Sequence, residues 1–229
     1  MASLDICFVV NAVGEGSIPA EIATAVTRHT DHTVDILTWF DSGQFAGEEL
    51  LEVQSLDAPD TALGVDLPTY RRAADILSEY DLVQAHHNHS AAFAKLIARR
   101  VGVPIVSREG NTRDGFTRKG RIANGVTNPL ASRVVCISDS VYRSFTRWER
   151  AILPKRRVQR IPNGVYMDRI DGTAPGLPDG ITPTDNAFLV GNAAMLHEQK
   201  AQDMLIRAVA ELNKRADRPV ELIICGDGP

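Results

Sequence analysis

The 229-residue chain has 44% hydrophobic and 24% charged residues, a composition ordinary for a globular fold that leaves little room for extended disorder. A net charge of -4 with an isoelectric point near 5.9 excludes a general nucleic-acid binder, which needs a basic face to displace phosphate counterions. The first ten residues carry Asp5 inside an apolar run without a basic flank, so they resemble neither a signal peptide nor a membrane span, and a cytoplasmic location is expected.

Short runs rich in Val and Ile alternate with segments of helical period, which predicts an α/β fold with a doubly wound parallel sheet. The first strand, over residues 6–10, leads through Asn11 into Gly14, Glu15, Gly16 and Ser17, with Pro19 opening a helix. Glycines there let a ligand approach the backbone, and a helix N-terminus offers unpaired N–H groups to an anion. The third glycine of a dinucleotide fingerprint is missing, however, and a plain structural turn explains the segment equally well. A second strand is expected over 34–39. A third, over 82–86, ends in Gln84, Ala85, His86, His87, Asn88 and His89, at the edge where open α/β sheets bind ligands. His86 and His87 should point to opposite faces, and no Cys or carboxylate is spaced to complete a tetrahedron, so no metal site is expected.

The helix over 90–100 places Phe93, Leu96, Ile97 and Val101 inward and leaves Lys95, Arg99 and Arg100 for the outer face. The next strand, over 105–108, ends in the polar cluster Arg108, Glu109, Gly110 and Asn111, either a turn or a functional edge. Two basic stretches follow, Arg113, Arg118, Lys119 and Arg121, then Lys155, Arg156, Arg157 and Arg160. They predict solvated surface or contact with phosphates or an anionic membrane. Strands are also expected over 134–137, 158–161, 188–193 and 221–225, with a helix over 200–216. Cys7, Cys136 and Cys225 sit in such strand-like runs without C-x-x-C spacing and are expected as buried thiols. Residues 168–186, with three glycines, three prolines and four aspartates, form a linker between a first domain over 1–167 and a second over 187–229. The second is too short to bury a core of its own.

The run RVVCISDSVYRSF, followed closely by RVQRIPNGV, resembles the strand, helix and strand that precede the second domain in retaining glycosyltransferases of family 4. LVGNAAMLHEQKAQDMLIRAVAEL and VELIICGDGP resemble the opening of that family's donor domain. Together with DLVQAHHNHS and the N-terminal glycine loop, the resemblance covers essentially the whole chain. It implies a GT-B fold with two Rossmann-like domains, the second represented by its first β-α-β unit, in a chain truncated relative to the family. The implied activity is metal-independent transfer of a hexose-type sugar from a nucleotide diphosphate sugar to an acceptor hydroxyl with retention, in polysaccharide or glycoconjugate synthesis. No cofactor is implied. The partners would be the nucleotide sugar and a glycan, lipid-linked or small-molecule acceptor, with peripheral contact at the inner membrane face.

By the same resemblance Lys200 and the backbone of Gly14, Gly16 and Ser17 bind the donor phosphates, and His86 lies beside the reacting sugar. Glu109 and Asn111 line the acceptor side, Asn163 the interdomain edge, and Gly226 and Gly228 the vicinity of the nucleotide. Met195 stands where the family places an arginine. Gln84 and Gly110 stand where histidines are common, and Ala201 replaces a glycine, a mild change. Two glutamates about eight positions apart, which hold the donor in the family, would fall beyond Pro229. A degenerate binding module without transferase activity is the competing expectation, and an epimerase of the same fold a weaker one.

Overall fold

Asp5–Val10 (β1) has five of its six residues buried, the signature of a strand covered on both faces. It pairs in parallel with Thr33–Thr38 (β2) on one side and Leu82–Ala85 (β4) on the other. Val53–Ser55 (β3) adds an outer strand beside β2, while Ile105–Glu109 (β5), Arg133–Cys136 (β6) and Val158–Arg160 (β7) extend the other side. The resulting seven-stranded sheet is parallel throughout, in the order β3-β2-β1-β4-β5-β6-β7. The computed structural model describes residues 2–14, 17–40, 51–59, 65–86, 89–165, 167–174 and 176–228.

Side-chain alternation along β1 builds two core layers. Ile6, Phe8 and Val10 pack with Ala20 and Ala23 of Ile18–His29 (α1). Cys7 and Val9 pack with Ala73 and Leu77 of Leu67–Leu77 (α2) and Ile97 of His89–Val101 (α3). Trp39 stacks on Phe93 in this second layer, with ring centroids 5.6 Å apart. The connecting helices start on side-chain caps: Asp66 for α2, Thr117 for Arg118–Thr127 (α4), Ser138 for Asp139–Ser144 (α5), and a Thr146/Glu149 capping box for Arg147–Ile152 (α6). Each such cap contributes about 1 kcal/mol.

The chain divides into two compact units, Met1–Asp168 and Arg169–Pro229, with Met167–Asp171 (α7) at the division. The second unit pairs Phe188–Ala193 (β8) in parallel with Val220–Cys225 (β9), joined by Gln202–Asn213 (α8). No residue of α8 is buried, and Met204, Ile206 and Leu212 are all about half exposed or more. Two strands and one helix bury too little apolar surface to close a core.

Three expectations need correction. Cys225 is exposed, whereas Cys7 and Cys136 are buried, because the pair of strands that carries Cys225 is not covered like the large sheet. Lys95 is fully buried and Leu96 is 45% exposed, the reverse of the helical-period assignment. The Lys95 ammonium donates to Asn124, to Asn128 at 2.6 Å and to Ser107 at 3.3 Å, so a polar seam takes the place of water. Finally, the last helix does not begin at Lys200. A 3-10 turn over Glu198–Lys200 precedes it, and Ala201 joins the two at φ 50° and ψ 38°. A left-handed backbone costs an L-residue with a Cβ roughly 1–2 kcal/mol, so alanine in place of glycine at 201 is a strained substitution rather than a mild one.

Candidate functional site

The chain runs from β1 outward through β2 and β3, then returns to β4 and proceeds the other way. Strand order therefore reverses between β1 and β4, and the crevice beyond the carboxyl ends of such neighbours is where this architecture takes ligands. The Asn11 carboxamide oxygen, just after β1, accepts the Ser90 N–H at 3.2 Å and ties this edge to the first turn of α3. The Ser90 hydroxyl donates to the His86 carbonyl at 3.1 Å, and the His86 N–H donates to Val9 at 2.8 Å. The His86 ring packs on Phe8 with centroids 5.0 Å apart, and the Gln84 amide nitrogen stands 2.9 Å from its Nε2. His86 is only 1% exposed, so a ligand reaches its imidazole only if the surrounding surface moves.

Beside this cluster, the Ser17 N–H donates to the Gly14 carbonyl at 3.1 Å and α1 begins with a proline in its first turn. The Ser17 hydroxyl makes no capping bond and is buried without a hydrogen-bond partner among the described residues. Among the described residues, a Cβ at Gly14 would meet nothing within 4 Å. Gly16 lies outside the described residues, as does His87.

The carboxyl end of β5 differs from expectation. Glu109 points inward, where it pairs with Arg113 at 2.8 Å and accepts two bonds from Asn124 at 2.9 Å. Arg113 also pairs with Glu149 at 2.7 Å, and its guanidinium lies between the rings of Phe116 and Phe145. Lys95, Glu109, Arg113 and Glu149 thus form a buried network with two charges of each sign. Burial opposes the Glu109 carboxylate, yet Lys95, Arg113 and Asn124 together hold it below the usual carboxylate range. Burial pushes the Lys95 ammonium down to about 8 against the pull of Glu109. Arg113 is therefore not part of a solvated basic stretch, and the Glu109 carboxylate is spent on internal partners.

Asn111 and Asn163 are tied elsewhere. The Asn111 oxygen accepts the Thr112 N–H at 2.9 Å, and its side chain lies against Gly115, where a Cβ would sit 2.3 Å from the amide nitrogen. Asn163 accepts a bond from Arg108, which the polar cluster at residues 108–111 concealed as a turn residue. Arg108 alternates with the inward-facing Ser107 and Glu109, and strand period could have singled it out as the outward group.

In the second unit Lys200 is exposed at the end of its 3-10 turn, and Met195 is 65% exposed. The loop after β8 runs alongside the turn after β9: the Ala194 N–H donates to Cys225 at 3.0 Å and the Leu196 N–H to Asp227 at 2.8 Å. A Cβ at Gly226 would lie 1.9 Å from the Ala194 carbonyl oxygen, and one at Gly228 2.3 Å from that of Leu196. Close passage of the neighbouring backbone is therefore sufficient reason for both glycines. Among the described residues no three His, Cys, Asp or Glu side chains form a metal-ligand group, and no helix is long and apolar enough to cross a membrane.

Residues 20–169 match the model of Glycosyltransferase Family 4. No curated protein matches the chain. Among solved structures it is similar to HepE of Anabaena in complex with UDP and glucose, at 18% identity and a TM-score of 0.70, over 99% of this chain and 62% of that one. It is also similar to a glycosyltransferase of Rickettsia africae, at 14% and 0.65, over 99% and 61%. A third is the apo form of the lipopolysaccharide outer core galactosyltransferase WaaB, at 16% and 0.61, over 98% and 61%. The chain thus spans about three-fifths of the length of these proteins. Likeness at such identities is one of fold, and that fold is GT-B: a Rossmann-like domain on a doubly wound parallel sheet, followed by the first β-α-β of another. With the family model matching well over half of its residues, the chain belongs to Glycosyltransferase Family 4.

Proposed function

We propose that the protein transfers a hexose-type sugar from a nucleotide diphosphate sugar to an acceptor hydroxyl, with retention and without a metal ion. The observation that carries this in a family 4 chain is the reversal of strand order between β1 and β4, at the edge where the chain passes from β1 through Gly14 to the start of α1. The helix dipole and the N–H groups of the first turn of α1, Pro19 apart, suit a diphosphate. The solved relative HepE holds UDP, which supports the nucleotide class.

In the first unit, Gly14, Gly16 and Ser17 serve the donor phosphates, and His86 serves the sugar once its covering surface yields. Arg108, held by Asn163, takes the acceptor-facing role together with Asn111, while Glu109 fixes the segment after β5 from within. In the second unit Lys200 supplies charge to the departing diphosphate, and Gly226 and Gly228 shape the turn near the nucleotide. Catalysis would rest on positioning and electrostatic stabilisation. The acceptor is a glycan, lipid-linked or small-molecule hydroxyl. Work at the cytoplasmic face of a membrane is supported by Ile122 and Val126, both at least half exposed on α4 beside the exposed Arg118 and Lys119.

A second interpretation has one observation in its favour. Met195 is exposed where the family carries an arginine, as expected of a binding module that holds an acceptor without transferring sugar. Proton NMR of the product, formed with a chelator present, separates the two. An α-linked donor should yield an α-linked product at an undiminished rate. Inversion, loss of activity on chelation, or no product at all would refute the corresponding part of the proposal.

A further inference from the structure

Four arginines surround one cavity in the first unit, on the opposite edge of the sheet from His86 and Gly14. The cavity, about 730 Å3, is lined by Arg99 near the end of α3, by residues 129–133 where α4 gives way to β6, and by Arg156 and Arg157 just before β7. Since β6 starts at Arg133 and β7 at Val158, it lies at the amino ends of these strands.

Among the described residues its charge is uncompensated, and no acidic side chain lines the cavity. Some cations outside the cavity have acidic partners: Arg160 pairs with Asp139, and both Lys214 and Arg215 pair with Glu211. Among the described residues none of the four cavity arginines forms an ion pair. Two of them are held by main-chain oxygens of the rim. Arg157 Nη1 donates to Pro129 at 2.9 Å and to Ala131 at 3.4 Å, and Arg133 Nη1 donates to Ser132 at 2.9 Å. Like charges are thereby fixed around a shared space in a chain whose net charge is -4. A multiply charged anion relieves the repulsion, and the guanidinium fork matches phosphate oxygens in geometry.

We infer that this cavity binds a phosphate-bearing ligand at a site separate from the proposed sugar-transfer edge. Either a free diphosphate or the headgroup of an anionic phospholipid supplies that chemistry, and the site anchors or regulates the protein rather than taking part in transfer.

The test replaces Arg99 and Arg156 with glutamine. Both are exposed, and among the described residues neither makes a side-chain hydrogen bond or ion pair, so the fold should survive, as thermal unfolding would verify. Inorganic pyrophosphate is titrated calorimetrically into Lys200→Ala protein with and without the arginine changes, which removes the proposed donor-phosphate lysine from the comparison. In parallel, the chain with and without the arginine changes is sedimented with phosphatidylcholine vesicles lacking or containing phosphatidylglycerol. Loss of two charge-assisted contacts should weaken binding about tenfold or more. Pyrophosphate binding that weakens this way identifies a free phosphate ligand. Phosphatidylglycerol-dependent sedimentation that alone weakens identifies a headgroup. Absence of both kinds of binding, or binding that the arginine changes leave intact, overturns the proposal.

Discussion

Lys200→Ala protein is expected to transfer sugar about 100-fold more slowly than the parent, at the lower end of the range for loss of one electrostatic donor because the side chain is exposed and screened. The deficit should fall mainly on kcat, since negative charge grows on the departing diphosphate as the transition state forms, while KM for the donor rises less. Stability should be unchanged, for the Lys200 side chain holds no partner among the described residues. Lys200→Arg should recover much of the rate, as charge rather than shape is required. A Lys200→Ala protein with parental turnover would remove this residue from the chemistry and leave the phosphates to the first unit.

Arg113→Met protein is expected to lose about 3–5 kcal/mol of stability at neutral pH, the typical cost when one partner of a buried ion pair is removed. Arg113 is the common partner of Glu109 and Glu149, each within 2.8 Å and almost wholly buried, so its removal strands two carboxylates. Adding Glu109→Gln and Glu149→Gln to Arg113→Met should restore part of the loss. Urea unfolding would measure both, and a triple variant no more stable than the single one would show that packing of the guanidinium between Phe116 and Phe145 dominates.

The same network sets a pH dependence. The Glu109 carboxyl is held below its ordinary 4.5, so at acid pH the unfolded chain takes up its proton first. Its contribution is complete above that ordinary value and is lost as pH falls through the folded one. Lys95 is lowered from 10.5 to about 8, so between these values the unfolded chain again binds more protons and stability rises with pH. Above the ordinary thiol value of 9.0, the buried Cys7 and Cys136 act in the opposite sense, because burial raises both. The difference between parent and Lys95→Met is therefore the informative quantity, and it should shift in the parent's favour from pH 8 upward.

Most of the sheet was legible because strands buried on both faces leave continuous apolar runs, as in β1. β3 was not, since Val53–Ser55 is three residues long and only partly buried, too little for a period to show. Lys95 was misplaced because helical period assumes that charge faces water, and nothing local to α3 reveals the asparagines of α4 and the following turn. Glu109 was legible as a special residue but not as an internal one. Its partner Arg113 is bound in turn to Glu149, 36 residues further on, and sequence alone does not show that pairing. The glycines at 226 and 228 were found through a motif, whereas their steric reason lies in Ala194 and Leu196 on another segment. Ala201 illustrates the converse, a position whose left-handed backbone makes physical sense of the glycine that relatives were expected to carry.

Calorimetric titration of nucleoside diphosphates, with uracil, guanine, adenine and thymine as the base in turn, into the chain tests the nucleotide-sugar assignment most directly. A transferase of the kind proposed should bind at least one of them at submillimolar concentration, with affinity that weakens in Lys200→Ala and is unaffected by the change of Arg99 and Arg156. Absence of binding of every one of them by the folded chain would contradict the assignment and favour a binding module that no longer uses a nucleotide donor.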